Sequence, residues 1–325
     1  MTKTFSQNDV TIPQGIWSAL PTFFTDDGES VWIDPLAALI RHQCRHGVQG
    51  FIAYGTTGEA SSLTHSERAR LLHTCLDHSQ GRPVFAGIGT HNTATTIERG
   101  KEAKSLGAHG GLVVTPYYLK PTQEGLINHF RTVAEALPDL PLMLYVVPGR
   151  TGVTLDTRSL DILFDIPNVV ALKDATGDLN YGAHAIKIAS GRAHIYSGDD
   201  PTALPFWSLG GAGSISVASN LVPAAMSGCW QDFRDGKVAE ARQQFLSMIS
   251  MIDGLFIEPN PVPLKYALSY REKVFGLQVM RSPLSTLTQK STQALVELMN
   301  NEGSPELRNQ LLSAQLDLNT EIYDD

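Results

Sequence analysis

Gly87-Ile88-Gly89-Thr90-His91-Asn92 is the stretch that separates two possible folds. It closes a short apolar run, residues 83–89, and leads into residues 94–106, where apolar side chains recur at helical intervals. A dinucleotide-binding sheet needs G-x-G-x-x-G at such a strand-to-helix turn, to bring a pyrophosphate against the helix. Asn92 stands where the third glycine is required, so that reading fails. Outward from this turn the same rhythm repeats. Strand candidates fall at residues 17–24, 50–54, 83–89, 111–116, 142–148, 169–174, 194–198 and 213–218, with starts 19 to 33 residues apart. That spacing accommodates one strand and one helix per unit. The polar clusters fall at the carboxyl ends of these strands, where barrel enzymes build their sites, so the expected fold is α/β, a (β/α)8 TIM barrel.

Thr64-His65-Ser66-Glu67 reads as a capping box opening a helix over 66–78. Beyond about Val222 the strand signals stop. Residues 238–257, 263–274 and 291–300 read as helices, broken by Glu258-Pro259-Asn260-Pro261 and Arg281-Ser282-Pro283. The expected organisation is an N-terminal extension (1–14), the barrel (15–237), a C-terminal helical appendage (238–300) and a polar tail (301–325).

The chain has 325 residues, 42% of them apolar, and its 25 basic and 33 acidic residues leave a formal charge of −8. No basic stripe is available to neutralise phosphates, which argues against a nucleic-acid partner. No apolar run reaches the roughly 18–20 residues of a membrane helix, and the polar start lacks a secretory h-region. Three cysteines, Cys44, Cys75 and Cys229, make neither a disulfide framework nor a metal knuckle. A cytoplasmic protein is expected.

In Val169-Val170-Ala171-Leu172-Lys173-Asp174, alternation puts Val169, Ala171 and Lys173 on one face. With that face inward, the Lys173 amine sits at the top of an apolar core. Burial disfavours its charged form, and the free amine would attack a carbonyl carbon to give a Schiff base. Read alone, the segment more readily describes a lysine ending an edge strand and reaching to solvent. In Leu142-Met143-Leu144-Tyr145-Val146-Val147-Pro148, Tyr145 lies one strand earlier and could meet Lys173 as a proton carrier, or serve as an ordinary core tyrosine. Gly55-Thr56-Thr57-Gly58-Glu59 forms a tight turn able to aim backbone N–H groups and two hydroxyls at a small anion such as a carboxylate, or simply a βα turn. His42-x-Cys44-x-His46 has helical metal-site spacing, but no third ligand class lies nearby; a solvated helix face is expected there, and no metal. Asp174 is expected to face away from the lysine.

These segments, with Thr115-Pro116-Tyr117-Tyr118, Lys120-Pro121-Thr122-Gln123-Glu124-Gly125, Pro148-Gly149-Arg150-Thr151-Gly152, Leu172-Lys173-Asp174-Ala175-Thr176-Gly177 and Ser197-Gly198-Asp199-Asp200, resemble the dihydrodipicolinate synthase and N-acetylneuraminate lyase family of class I pyruvate aldolases. The resemblance runs from about Gly15 to about Met299. It implies that Lys173 forms an imine with pyruvate and that no separate cofactor is needed. It implies that Tyr145, Thr57 and Tyr118 relay protons, Tyr118 reaching into a neighbouring subunit of a homotetramer built from tight dimers. Thr56 and Thr57 would hold the pyruvate carboxylate, backbone groups at Gly198 and Ile215 would line the lysine pocket, and Arg150 would receive the second substrate's carboxylate. Gly-Thr-Thr-Gly-Glu and Pro-Gly-Arg-Thr resemble the synthase branch, which implies condensation of pyruvate with aspartate 4-semialdehyde to 4-hydroxy-tetrahydrodipicolinate, in lysine and diaminopimelate synthesis. The alternatives are an aldolase of this family acting on another 2-oxo acid or aldehyde, and a non-catalytic paralogue.

Three departures stand out. Synthases of this family usually carry Asn where Leu119 and Val146 stand. In lysine-inhibited members an asparagine and a glutamate occupy positions that resemble those of His91 and Thr95, while His65 and Tyr117 match the allosteric cleft. Threonine cannot supply the charge that receives a lysine ammonium, so weak or absent feedback inhibition is expected.

Overall fold

A computed structural model of the chain describes residues 12–301. The first residues of the expected extension and the polar tail beyond its first residue lie outside them. Among the described residues, eight strands close into a barrel in chain order: β1 (Gly15–Ala19), β2 (Gly50–Ala53), β3 (Val84–Gly87), β4 (Gly110–Val114), β5 (Leu142–Val146), β6 (Val169–Asp174), β7 (His194–Ser197) and β8 (Gly213–Ser216). The adjacent pairs run parallel with helices between them, as a (β/α)8 barrel requires. Each strand begins near its expected start, but most end sooner. The run expected at 17–24 is strand only to Ala19. Leu20, Phe23 and Phe24 stay buried in a narrow turn, held by the N–H of Trp32 donating to Phe23 and by the Phe24–Val31 bridge, so the apolar signal outlasts the strand.

One compact unit comprises residues 12–15 and 83–215. It holds α3 (Thr93–Ser105), α4 (Gln123–Ala136), the single turn α5 (Pro148–Thr151), α6 (Thr157–Phe164), α7 (Leu179–Ala189) and α8 (Ala203–Ser208). Helix starts are set by side-chain caps: Asn92, Thr122, Asp156 and Asp178 each accept from a first-turn N–H. The end of α4 is held by Asn168, whose amide donates to the carbonyls of Ala134, Leu137 and Leu140. At Gly213 (φ 131°) a Cβ would lie 2.0 Å from the Gly15 carbonyl oxygen, so only glycine allows that close approach.

The second unit comprises residues 16–82 and 216–301 and contains α1 (Ile33–Arg45), α2 (His65–His78), α9 (Pro223–Arg234), α10 (Val238–Gly254), α11 (Val262–Glu272) and α12 (Gln289–Asn301). The capping box is present: Thr64 Oγ1 accepts from the Glu67 N–H while Glu67 accepts from the Thr64 N–H. Arg281 grips the same Glu67, its two terminal nitrogens donating to the two carboxylate oxygens at 2.9 and 2.5 Å. A buried polar knot of Ser18, Gln43, Ser219 and Asn220 is bonded internally, which offsets the desolvation of the groups so paired. His42 is buried (1% exposed), which corrects the expectation of a solvated face; burial pushes its imidazole down to about 3, and it therefore stays neutral.

Candidate active site

Strand alternation orients Lys173. The next residue, Asp174, points at the helix layer: its Oδ2 lies 3.4 Å from where a Cβ on Gly182 of α7 would stand. Lys173 therefore faces the other way, into the ring of strands. Only 5% of it is exposed. Tyr145 on β5 is its register partner, and the Lys173 amine lies 4.6 Å from the Tyr145 ring centroid. The edge-strand reading of this lysine is thereby excluded. The amine and the phenol share a buried face at the carboxyl ends of neighbouring strands.

Gly198, just after β7, makes room for the lysine. A Cβ there would come within 2.8 Å of Lys173 Cε, 2.9 Å of its Cγ and 3.0 Å of the Ala175 Cβ. The Gly198 N–H donates to the Asp174 carbonyl, which pins that approach. Ile215, on β8, is buried. Asp174 faces away from Lys173, as alternation required, but it is not solvated. Its Oδ1 accepts from the Thr176 N–H and hydroxyl, and burial pushes its carboxyl up to about 6.

Arg150 is exposed on α5. That turn is braced by Thr151, whose hydroxyl accepts from Thr115 and donates toward the carbonyls of Val147 and Val153, and it ends at Gly152 in the left-handed region. Tyr118 is 88% exposed and left-handed (φ 72°), and Leu119 beside it is 62% exposed. A bulky residue held in that region is uncommon and points to a constrained functional loop. Val146, fully buried, is the register partner of Asp174 and so lies on the helix-facing side, opposite Tyr145.

The Gly55–Glu59 turn lies in the second unit. Its backbone is wound on itself: the N–H groups of Gly58 and Ala60 donate to the Gly55 carbonyl, and that of Glu59 to Thr56. These three amides are thus turned inward, and the N–H groups of Thr56 and Thr57 are not among them. Thr57 is buried (2% exposed), and its Oγ1 accepts from the Asn260 side-chain amide at 3.0 Å. Glu59, left-handed at φ 52°, pairs with Lys265 at 2.7 Å, both side chains almost wholly buried.

This arrangement matches known proteins over nearly its whole length. Residues 12–302 fit the model of the dihydrodipicolinate synthetase family. The chain belongs to that family. It is 39% identical over 292 residues, 89% of this chain and 98% of the relative, to a 4-hydroxy-tetrahydrodipicolinate synthase of Nitratidesulfovibrio vulgaris. It is similar to the chloride-inhibited dihydrodipicolinate synthase of Acinetobacter baumannii solved with pyruvate, at 37% identity and TM-score 0.82, covering 94% of this chain and 99% of that one. It is likewise similar to a monomeric dihydrodipicolinate synthase variant, at 32% identity and TM-score 0.83, covering 94% and 97%.

Within one unit of this family member, the fold gathers Lys173, Tyr145 and Gly198. His91 and Tyr117 also meet there, edge to face at 5.4 Å, with Thr95 in the first turn of α3; His65 opens α2 in the other unit and is exposed. Sequence reasoning missed Asn260, Lys265 and the Glu59 pairing. Glu258-Pro259-Asn260-Pro261 reads as a helix breaker, and nothing local announces that its asparagine reaches a turn 203 positions away.

Among the described residues no helix is long and apolar enough to cross a membrane, and no group of three His, Cys, Asp or Glu side chains is placed to hold a metal.

Proposed function

We propose that this chain condenses pyruvate with aspartate 4-semialdehyde, by a Schiff base on Lys173, to give 4-hydroxy-tetrahydrodipicolinate for lysine and diaminopimelate synthesis. The observation that carries the reading is the buried pairing of the Lys173 amine with the Tyr145 phenol. An amine held in a water-poor site beside a proton carrier suits carbinolamine dehydration, because the departing hydroxyl needs a proton. The free amine adds to C2 of pyruvate, and water leaves to give the imine. Loss of a C3 proton gives the enamine, whose C3 attacks the aldehyde carbon while the aldehyde oxygen takes up a proton. The substrate's own amine then displaces Lys173 at C2, closing the ring and freeing the lysine.

The family resemblance assigns Tyr145, Thr57 and Tyr118 to the proton relay and Thr56 and Thr57 to the pyruvate carboxylate. Gly198 and Ile215 line the lysine pocket. Arg150, exposed on its braced turn, suits a carboxylate arriving from solvent, which its planar fork can hold with two hydrogen bonds. The exposed Tyr118–Leu119 tip supports assembly, because a tyrosine that serves a site is covered when a second copy packs over it. A homotetramer in the cytoplasm is the proposed form.

Incubation with pyruvate and borohydride, followed by digestion, tests the imine. A reduced pyruvyl adduct is expected on the peptide carrying Lys173, and its absence overturns the reading. Turnover with aspartate 4-semialdehyde, coupled to dihydrodipicolinate reductase and set against a panel of other aldehydes, tests the second substrate.

A further inference from the structure

Two neighbouring loops at the mouth of the barrel are tied together: residues 115–122, between β4 and α4, and residues 147–156, between β5 and α6. The Thr115 hydroxyl donates to that of Thr151 at 3.1 Å. At the start of α4, the Gln123 side chain donates to the Thr154 carbonyl at 2.8 Å and accepts from the Asp156 N–H at 3.0 Å. Between these ties Lys120 lies across Gly152, where a Cβ would stand 2.9 Å from its Cε and 3.7 Å from its Cδ and Cγ. The lysine reaches that seat against its backbone preference. A residue before proline favours the extended region, yet Lys120, followed by Pro121, is left-handed at φ 47°. Tyr118, two positions earlier, is left-handed too. Two such residues so close together mark a loop whose contacts fix its shape. Gly152, itself at φ 70°, provides the seat, because a side chain there would fill the space of the lysine stem.

The stem is seated, but the charge it carries is not spent on the protein. Lys120 is exposed, and among the described residues its ammonium makes no ion pair or hydrogen bond. The acids of these segments are engaged elsewhere: Glu124 pairs with Arg158 at 3.1 Å, and Asp156 accepts from the Ser159 N–H as the cap of α6. Arg150 stands on the same turn, two Cα steps of about 3.8 Å before Gly152. The chain as a whole carries a charge of −8, so an arriving carboxylate is repelled except where cations gather. We propose that Lys120 is a specificity-determining residue, a second cation at the mouth that acts with Arg150 to draw in and hold the carboxylate of the second substrate. It thereby favours carboxylated aldehydes over uncharged ones. This rests on the Schiff-base reading above and adds one residue to it. Pyruvate, bound at the buried Lys173, does not depend on it.

The test is steady-state kinetics on the full chain with pyruvate and aspartate 4-semialdehyde. Lys120→Met keeps the stem and removes the charge. The KM for the aldehyde should rise at least about threefold at low ionic strength, a modest factor because the charge acts through water. The kcat, the KM for pyruvate and the melting temperature should stay near wild type. In about 0.5 M salt the two aldehyde KM values should converge, because screening shortens the reach of the charge. Lys120→Arg should restore the wild-type KM, and Lys120→Glu should raise it further than Lys120→Met. A wild-type aldehyde KM in Lys120→Met overturns the proposal. So does a rise that is equal at low and high salt, which marks packing of the stem rather than charge, and so does a wild-type enzyme that prefers uncharged aldehydes. Borohydride trapping reports separately: no adduct on Lys173 in wild type removes the Schiff-base reading, whereas a normal adduct with an unchanged aldehyde KM in Lys120→Met removes the role of Lys120 alone.

Discussion

Gly198 presses against the side chain of Lys173 so closely that no other residue fits there: an added Cβ would stand 2.8 Å from Cε and 2.9 Å from Cγ. Real Cβ contacts do not fall below about 3 Å, so the lysine stem would have to move, and a shift of that size misplaces the attacking nitrogen. Gly198→Ala should therefore lower imine trapping with pyruvate by roughly two orders of magnitude. Its melting temperature should fall only modestly, because the glycine lies in a loop. Trapping at the wild-type rate would show that the lysine does not depend on that contact.

The sequence made the barrel legible because the signals for it are local and repeated. Strand starts, the Thr64–Glu67 capping box and the Lys173/Tyr145 alternation each depend on residues a few positions apart, and each appears in the structure where it was expected. What it hid were long-range facts. Glu59 and Lys265 are a buried pair 206 positions apart, and His42 is buried by packing that its own helix does not reveal. The inward winding of the Gly58, Glu59 and Ala60 amides is a matter of backbone dihedrals, to which a Gly-Thr-Thr-Gly pattern is indifferent. Polar side chains in a functional turn read as solvent-facing until the partner that buries them is known.

Asp174 supplies a pH-dependent test. Burial raises its carboxyl from an ordinary 3.8 to about 6, beneath α7. A raised carboxylic acid favours the fold while protonated, so its contribution is complete below the unfolded value near 4. It is lost as pH climbs toward 6 and stays lost above that. Asp174→Asn keeps the Oδ1 acceptor for Thr176 and removes the charge. The variant should match wild type in denaturant stability at pH 4 and exceed it by about 2 kcal/mol at pH 8. Equal stabilities at both pH values would contradict the burial account.

Glu67 runs the opposite way. Arg281, bonded to both of its oxygens, holds the carboxyl down at about 2, with the Thr64 cap adding to the effect. A depressed carboxylate stabilises the fold above its unfolded value near 4.5 and loses that contribution as pH falls toward 2. Arg281→Met removes the cation, and also the bonds to the Gly28, Glu29 and Ser62 carbonyls. A loss of roughly 3 kcal/mol at pH 7 is expected, within the range for breaking a largely buried pair. At pH 2.5 the difference should narrow, because wild type has by then lost much of the same interaction. A gap that stays constant with pH would assign the loss to the carbonyl contacts alone.

Lysine sensitivity turns on one short stretch. His91 and Tyr117 meet edge to face at 5.4 Å, and Thr95, partly exposed in the first turn of α3, stands at the position that the family resemblance matches to a glutamate of lysine-inhibited members. Its N–H already donates to the Asn92 cap, and its hydroxyl carries no charge. An ammonium brought to such a surface loses strong hydration, and position 95 offers no carboxylate to offset that loss. The initial rate at subsaturating pyruvate should therefore stay within about twofold of control as lysine rises to the millimolar range. Thr95→Glu restores a negative charge at the helix N-terminus, where it is also favoured by the helix dipole. If the missing charge is what abolishes the response, that variant alone, or together with His91→Asn, should bring the rate down steeply on lysine addition. A wild-type enzyme already inhibited at submillimolar lysine would show that this surface recognises the ammonium by other means.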